Sequence, residues 1–155
     1  MKRLLYPILF ISVLIYWGCE DITPTEVTLW GDVYSIEDTD TLILSNNDLT
    51  GPIPPEIGNL TNLTYLGLYL NQLTGIISPE IGNLTNLTWL DLGNNGLIGS
   101  IPPEIGNLTN LTHLNLRYNQ LNGEVPESIC DLNIEWSSSW SFNISNNQLC
   151  PPYPS

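Results

Sequence analysis

Basic residues are almost absent from this sequence. Its 155 residues include three lysines and arginines, Lys2, Arg3 and Arg117, against sixteen acidic residues, which gives a formal net charge of −13. Binding of nucleic acid needs clustered cations that displace the counterions of the phosphates. The sequence therefore predicts no nucleic-acid partner, and its charge favours either solubility alone or a cationic partner.

Histidine and cysteine are also scarce, with one histidine, His113, and three cysteines. Neither the cysteine and histidine spacing of a zinc site nor a glycine-rich phosphate loop is present. The recurring glutamates Glu56, Glu80 and Glu104 are consistent with weak calcium binding, but a solvated acidic stripe is the simpler interpretation. The sequence therefore predicts no cofactor and no metal site.

The N-terminus has the layout of a secretory signal. A basic Met-Lys-Arg start is followed by an apolar run of about fourteen residues, from Leu4 to Trp17. This run is shorter than the ~18 residues that a membrane-spanning helix requires. We expect residues 1–18 to be a signal peptide and residues 19–28 to be a solvated tether.

The end of this signal, Gly18-Cys19, resembles that of bacterial lipoproteins, in which the cysteine becomes the lipidated first residue. The sequence departs from that family at Tyr16, where a leucine is usual. The resemblance implies lipid attachment at Cys19 and anchoring to a membrane of the bacterial cell envelope, as an outer-membrane or cell-surface lipoprotein. Secretion without an anchor is the alternative.

The body of the chain is an internal repeat. Three blocks of 24 residues, 60–83, 84–107 and 108–131, align without gaps. A truncated copy, 42–59, precedes them, and a divergent copy follows after a four-residue insertion. Repetition with this period is the sequence signature of a solenoid, in which each coil buries a face that it cannot bury alone.

The repeated pattern LxxLxLxxNxLxGxIPxxIGxLxxL resembles the leucine-rich-repeat family, in the form known from plant receptors and bacterial surface proteins. The resemblance covers about residues 29–150. It implies an α/β solenoid: a short right-handed stack of about five coils, with a parallel β-sheet on the concave face. The resemblance also implies that Leu63, Leu66, Leu68 and Leu73 of the first full copy point inward.

The same resemblance divides the chain into a cap over residues 29–41, repeats over 42–131, and a divergent last repeat with a C-terminal cap over 132–155. Trp30 is the expected lid of the first coil. A ladder of buried asparagine amides is expected to bond to backbone groups. Its members are Asn47, Asn71, Asn95, Asn119 and Asn147.

Two cysteines, Cys130 and Cys150, bracket the divergent copy. We expect them to form a disulfide that contributes about 3 kcal/mol in an oxidising compartment. Two reduced cysteines are the alternative.

Side chains between the inward leucines are expected to point into solvent on the concave face. Most of the differences among the copies fall there, where aromatic residues and an arginine are the types that dominate binding interfaces. In the alternative interpretation, strand aromatics only shield the sheet. The predicted partner-binding residues are Tyr65, Tyr69, Trp89, Asp91, His113, Asn115, Arg117 and Tyr118.

The sequence thus favours a non-catalytic module that binds a protein or peptide, with glycans possible. A structural spacer or adhesion module of the cell surface and a secreted eukaryotic receptor-like fragment are the alternatives. An enzyme ranks behind them, because His113 and Asp91 resemble a base with its carboxylate but the pattern places no nucleophile beside them.

Overall fold

The computed structural model describes residues 24–150. The predicted signal peptide, the predicted lipid-attachment site Cys19 and residues 151–155 lie outside the described residues. Within the described residues, short strands and helical turns alternate along the chain and stack as coils around a leucine core.

An antiparallel hairpin, β1 (Glu26–Leu29) and β2 (Asp32–Ser35), packs on the first coil. Val27 and Leu29 are buried and Trp30 contacts the core from the turn between the strands. The predicted tether of residues 19–28 therefore extends too far, because residues 26–28 belong to β1. The strand starts at Glu26 because exposed and buried residues alternate from there, as a half-buried strand requires.

Each coil contributes strands to two parallel sheets of five strands. The sheet predicted for the concave face, called here the concave sheet, consists of β3 (Thr41–Ile43), β5 (Tyr65–Gly67), β7 (Trp89–Asp91), β9 (His113–Asn115) and β11 (Phe142–Asn143). The second sheet consists of β4 (Thr50–Gly51), β6 (Gln72–Gly75), β8 (Gly96–Gly99), β10 (Gln120–Glu124) and β12 (Gln148–Cys150). The parallel solenoid that the repeats imply is confirmed.

Between residues 24 and 150 the helical segments are single 3₁₀ turns rather than α-helices. They cover Pro55–Asn59, Pro79–Asn83, Pro103–Asn107 and Glu127–Asp131. In the first turn, the amide of Leu60 donates to the carbonyl of Ile57, the three-residue spacing of a 3₁₀ helix. The helical part of this solenoid is therefore confined to short 3₁₀ turns of five residues, three of which start at proline.

Glycines let successive 3₁₀ turns approach each other closely. A Cβ atom added at Gly82 would lie 2.6 Å from the carbonyl oxygen of Glu104, and one at Gly58 would lie 2.4 Å from that of Glu80. No side chain fits at such distances. The glycine of each Pro-Glu-Ile-Gly-Asn segment is thus a packing requirement, which explains its recurrence.

The core is a set of aligned leucine and isoleucine columns, with one residue per coil in each column. The predicted inward residues Leu63, Leu66, Leu68 and Leu73 are fully buried. Full burial of one such side chain contributes about 1.5–3 kcal/mol. A single coil presents these side chains to its neighbours, so the stability is shared between coils.

Asparagine amides join each coil to the one before it. The amide of Asn119 donates to the carbonyls of Leu92 and Leu116, and its oxygen accepts from the backbone N–H of Leu97. Asn71, Asn95 and Asn147 make equivalent bonds. Asn47, on the first coil, is exposed and donates to the carbonyl of Ser45 within its own coil.

The predicted disulfide between Cys130 and Cys150 is not formed. Cys130 lies in the last 3₁₀ turn and Cys150 ends β12, and both residues are exposed and have free thiols. The expectation of a bridge was therefore wrong for this structure.

Candidate concave binding site

Strand register places the predicted site residues in columns across the concave sheet. Tyr65 lies beside Trp89, and Trp89 lies beside His113. Asp91 lies beside Asn115 in the next column. Because neighbouring strands are about 4.8 Å apart, side chains in one column contact each other.

The first column is a continuous stack of rings. The rings of Tyr65 and Trp89 are 5.4 Å apart at 13°, and those of Trp89 and His113 are 3.5 Å apart at 6°. Trp140 crosses the stack, with its ring centroid 5.7 Å from Trp89 and 5.6 Å from His113 at steep angles. Offset stacked and edge-to-face contacts are both favourable for aromatic rings.

Trp140 is a site residue that the sequence analysis did not single out. It belongs to the insertion in the divergent copy, so alignment with the other copies assigns it to no column. Trp140 is 71% exposed despite its contacts with the stack. The available signal was the presence of a tryptophan in an insertion that immediately precedes a concave strand.

His113 and Asn115 are buried, with 5% and 7% of their surfaces exposed. The expectation that the whole concave column is open to solvent is therefore wrong at these two positions. Stacking against Trp89 and cover by Trp140 remove His113 from water. Burial holds the pKa of His113 below its ordinary value, and the nearby carboxylate of Asp91 opposes part of that shift.

A polar network fills the second column. Asn115 donates from its amide to the carboxylate of Asp91 at 2.8 Å, and the backbone N–H of Gly93 donates to the same oxygen at 3.0 Å. The oxygen of Asn115 accepts from the backbone N–H of Arg117 at 3.2 Å. These bonds hold Asp91 and Asn115 in one arrangement before any ligand is present.

Arg117 lies at the edge of this network. Its guanidinium donates to the hydroxyl of Tyr69 at 3.4 Å and lies 5.6 Å from the centre of that ring. It also lies 5.9 Å from the ring of Tyr118, which is 51% exposed. Cation–π contacts of this kind orient the guanidinium without neutralising it.

These groups enclose a cavity of about 280 Å³ on the concave face. Six of the eight predicted partner-binding residues line it, while Tyr65 and Tyr118 lie outside. The three other lining residues, Ser139, Trp140 and Asn143, come from the divergent copy. The full lining consists of Tyr69, Trp89, Asp91, His113, Asn115, Arg117, Ser139, Trp140 and Asn143.

Several buried polar atoms of this cavity have no hydrogen-bond partner within residues 24–150. They are Nε1 of Trp89, both ring nitrogens of His113 and Nε of Arg117. An unsatisfied buried polar group costs about 1–3 kcal/mol. Elsewhere in residues 24–150 only Nε1 of Trp30 is in the same state, so four of the five such side-chain atoms belong to this cavity.

Other kinds of site find less support in the described chain. Between residues 24 and 150, no group of three histidine, cysteine, aspartate or glutamate side chains is placed to hold a metal ion. No helix in that part of the chain has the length and apolar character needed to cross a membrane.

Comparison with solved structures returns plant receptors. RGFR1, a plant peptide hormone receptor solved in complex with RGF2, is 43% identical over 72% of this chain, with a TM-score of 0.65. The Arabidopsis receptor kinase HAESA, solved with the peptide hormone IDA and the co-receptor SERK1, is 37% identical over 74% of this chain, with a TM-score of 0.68. The chain spans only 17% and 18% of those two proteins.

A shorter relative is covered more completely. The BIR2 ectodomain from Arabidopsis thaliana is 31% identical over 74% of this chain and 71% of its own length, with a TM-score of 0.59. No curated protein sequence matches the chain. Family models described as leucine-rich repeats match residues 39–60, 62–84 and 85–132. Sequence repeats, parallel coils and these matches together show that the chain belongs to the leucine-rich-repeat family.

Proposed function

We propose that this chain is a non-catalytic binding module that holds a protein or peptide partner on its concave face. The observation that carries the proposal is the cavity in which polar atoms of Trp89, His113 and Arg117 lack partners. A ligand that supplies hydrogen-bond partners there gains more than one bound to a satisfied surface. The solved complexes of RGFR1 with RGF2 and of HAESA with IDA support a peptide as the partner.

The aromatic residues and Arg117 have the composition of an interface hot spot. Tyr69, Trp89 and Arg117 are half-buried and are held by mutual contacts, so few degrees of freedom remain to be lost on binding. The negative charge of the chain favours partners with basic residues around such a contact.

A catalytic role has less support from the geometry. Within the described residues, neither ring nitrogen of His113 bonds to a carboxylate or a hydroxyl. A general base that activates a nucleophile is normally oriented by such a bond. Asp91 bonds to Asn115 and Gly93 instead.

The binding proposal is tested by selection from a displayed random-peptide library against the immobilised chain. Peptides selected on the native chain should lose at least about tenfold in affinity against Arg117→Ala and Tyr69→Ala, which corresponds to about 1.4 kcal/mol. Glu104→Ala, in a 3₁₀ turn outside the cavity lining, is the matched control and should bind as the native chain does. Peptides that bind all variants equally, or failure to select any peptide, would favour the spacer or adhesion alternative.

We further propose export, with a lipid anchor at Cys19. Intact-mass measurement of the chain expressed in a bacterium with its own N-terminus tests this. A mature species that begins at Cys19 and carries acyl mass, absent from Cys19→Ala, would support the bacterial lipoprotein. The plant origin of the named relatives gives no support to a bacterial envelope, and cleavage without acylation would favour the secreted alternative.

A further inference from the structure

The concave cavity presents hydrogen-bond donors and an acceptor side by side. Arg117 contributes its guanidinium and Asp91 contributes a carboxylate to the lining, while the partnerless Nε of Arg117 and Nε1 of Trp89 are buried in the cavity wall. Carboxylates accept only, and guanidinium and indole N–H groups donate only. A ligand that satisfies all of them must both accept and donate within one small volume.

We infer that this cavity binds a neutral sugar residue. Each hydroxyl of a sugar accepts two hydrogen bonds and donates one, so neighbouring hydroxyls serve Arg117 and Asp91 at the same time. Asn143 lines the same wall; its amide oxygen accepts from the backbone N–H and the hydroxyl of Ser145, and its NH₂ group remains to donate. Neutral hydroxyls also avoid the cost of bringing a second charge into the site.

A carboxylate ligand fits this cavity less well. It would accept from Arg117, but Asp91 lines the same cavity and would repel it. The amide of Asn115 already donates to Asp91 at 2.8 Å, which holds the carboxylate in place. A cationic ligand would be attracted by Asp91, but Arg117 lines the same cavity and would repel it.

Trp140 supplies the apolar surface that a sugar ring needs. Its side chain is 71% exposed although one part contacts the rings of Trp89 and His113. The C–H face of a pyranose can pack on an exposed indole and bury apolar area without losing hydroxyl contacts. Ser139, from the same insertion, places a further hydroxyl at the rim.

The size of the cavity sets the size of the ligand. At about 280 Å³ it lies at the lower limit of small-molecule pockets, which begin at roughly 300 Å³. One sugar ring is therefore the expected occupant, either free or at the end of a glycan. This inference goes beyond the proposed partner binding, because it assigns a second class of ligand to the same cavity, where a sugar and a peptide side chain would compete.

Saturation-transfer NMR and tryptophan fluorescence titration of the full chain test the inference. The probes are methyl glucopyranoside, methyl galactopyranoside, methyl mannopyranoside and N-acetylglucosamine, each at millimolar concentrations. At least one should bind saturably, and Trp140→Ala should weaken that sugar at least about tenfold. Trp136→Ala is the matched control, because Trp136 belongs to the same divergent copy and packs on Phe142 outside the cavity.

Circular dichroism of each variant establishes that it is folded before binding is compared. Absence of saturable binding by all four sugars would overturn the inference, as would unchanged affinity in folded Trp140→Ala. Binding of N-acetylglutamate in preference to every sugar would also overturn it, in favour of a carboxylate ligand. None of these outcomes bears on peptide selection, so the two proposals fail separately.

Discussion

The imidazole of His113 lies nearly parallel to the indole of Trp89, with 3.5 Å between the ring centroids and 6° between the ring planes. This contact couples the one histidine of the chain to the aromatic wall of the concave cavity. Burial lowers the pKa of His113, since a charged imidazole here would be removed from water without a hydrogen-bond partner.

Acidification should therefore destabilise the fold. The unfolded chain takes up a proton at His113 near its ordinary pKa of 6.5, whereas the folded chain resists protonation until a lower pH. The free energy of unfolding should consequently fall as the pH decreases from about 7.5 to about 5.5. Urea denaturation across this range measures the slope. His113→Phe keeps a ring in the stack and should flatten the slope, and an equally steep slope in that variant would contradict the assignment to His113.

Loss of the asparagine amide between coils should be costly. Asn119→Ala leaves the N–H of Leu97 and the carbonyls of Leu92 and Leu116 without their partner, and should lower the free energy of unfolding by about 3 kcal/mol. Asn47→Ala removes one exposed bond within a coil and should cost less than about 1 kcal/mol. Equal effects of the two substitutions in urea denaturation would show that the bonds between coils contribute little.

The close approach of the 3₁₀ turns should make Gly82→Ala destabilising by about 2 kcal/mol, because its new Cβ would lie 2.6 Å from the Glu104 carbonyl oxygen. Gly96→Ala is a suitable control, since its nearest atom would be the Leu73 carbonyl oxygen at 3.2 Å. We expect Gly96→Ala to cost clearly less. Thermal denaturation of both variants distinguishes a packing effect from a general intolerance of alanine in the repeats.

The residue before each asparagine of the ladder adopts a left-handed backbone conformation. Asn46, Asn94 and Asn146 occupy it in three coils, whereas Leu70 and Tyr118 adopt the same positive φ in the other two. Asparagine tolerates this region better than leucine does. Leu70 is 47% exposed, so Leu70→Asn should lose little burial and should stabilise the fold by about 1 kcal/mol.

The converse change, Asn94→Leu, provides the control for that prediction. It places leucine at a φ of 52° and should destabilise the fold by a similar amount. Thermal melting of the two variants should show shifts of opposite sign. Shifts of the same sign would mean that side-chain contacts, not backbone conformation, decide the outcome.

The repeats predicted the fold well because one rule recurs in every coil. A leucine at a given repeat position has the same neighbours in each copy, so the burial predicted for Leu66 also holds for its equivalents Leu90 and Leu114. The same register predicted that Tyr65, Trp89 and His113 share a column. Neither result needed knowledge of contacts that are distant in sequence.

Features that occur once in the chain were not predictable in this way. Trp140 reaches His113 from an insertion whose path depends on packing rather than on the repeat, so burial of His113 was missed with it. The expected disulfide rested on the positions of Cys130 and Cys150 at the two ends of the divergent copy. Those positions do not determine where either side chain points. The start of the cap at Glu26 was not predicted, because Glu26 and Thr28 of β1 have the same polar character as the acidic segment before them.

The bonds that Asn119 makes to the coil before it are nearly the same as those made by Asn71, Asn95 and Asn147. A gene duplication that adds one 24-residue unit in the middle of the array therefore needs no new interface, since both of its faces already exist in its neighbours. The Trp140 insertion belongs to the last coil and would keep its place there. Because the cavity lining runs from Tyr69 to Asn143, a unit added within that span would change the cavity itself, and only a unit added before Tyr69 would lengthen the array and leave the cavity as it is.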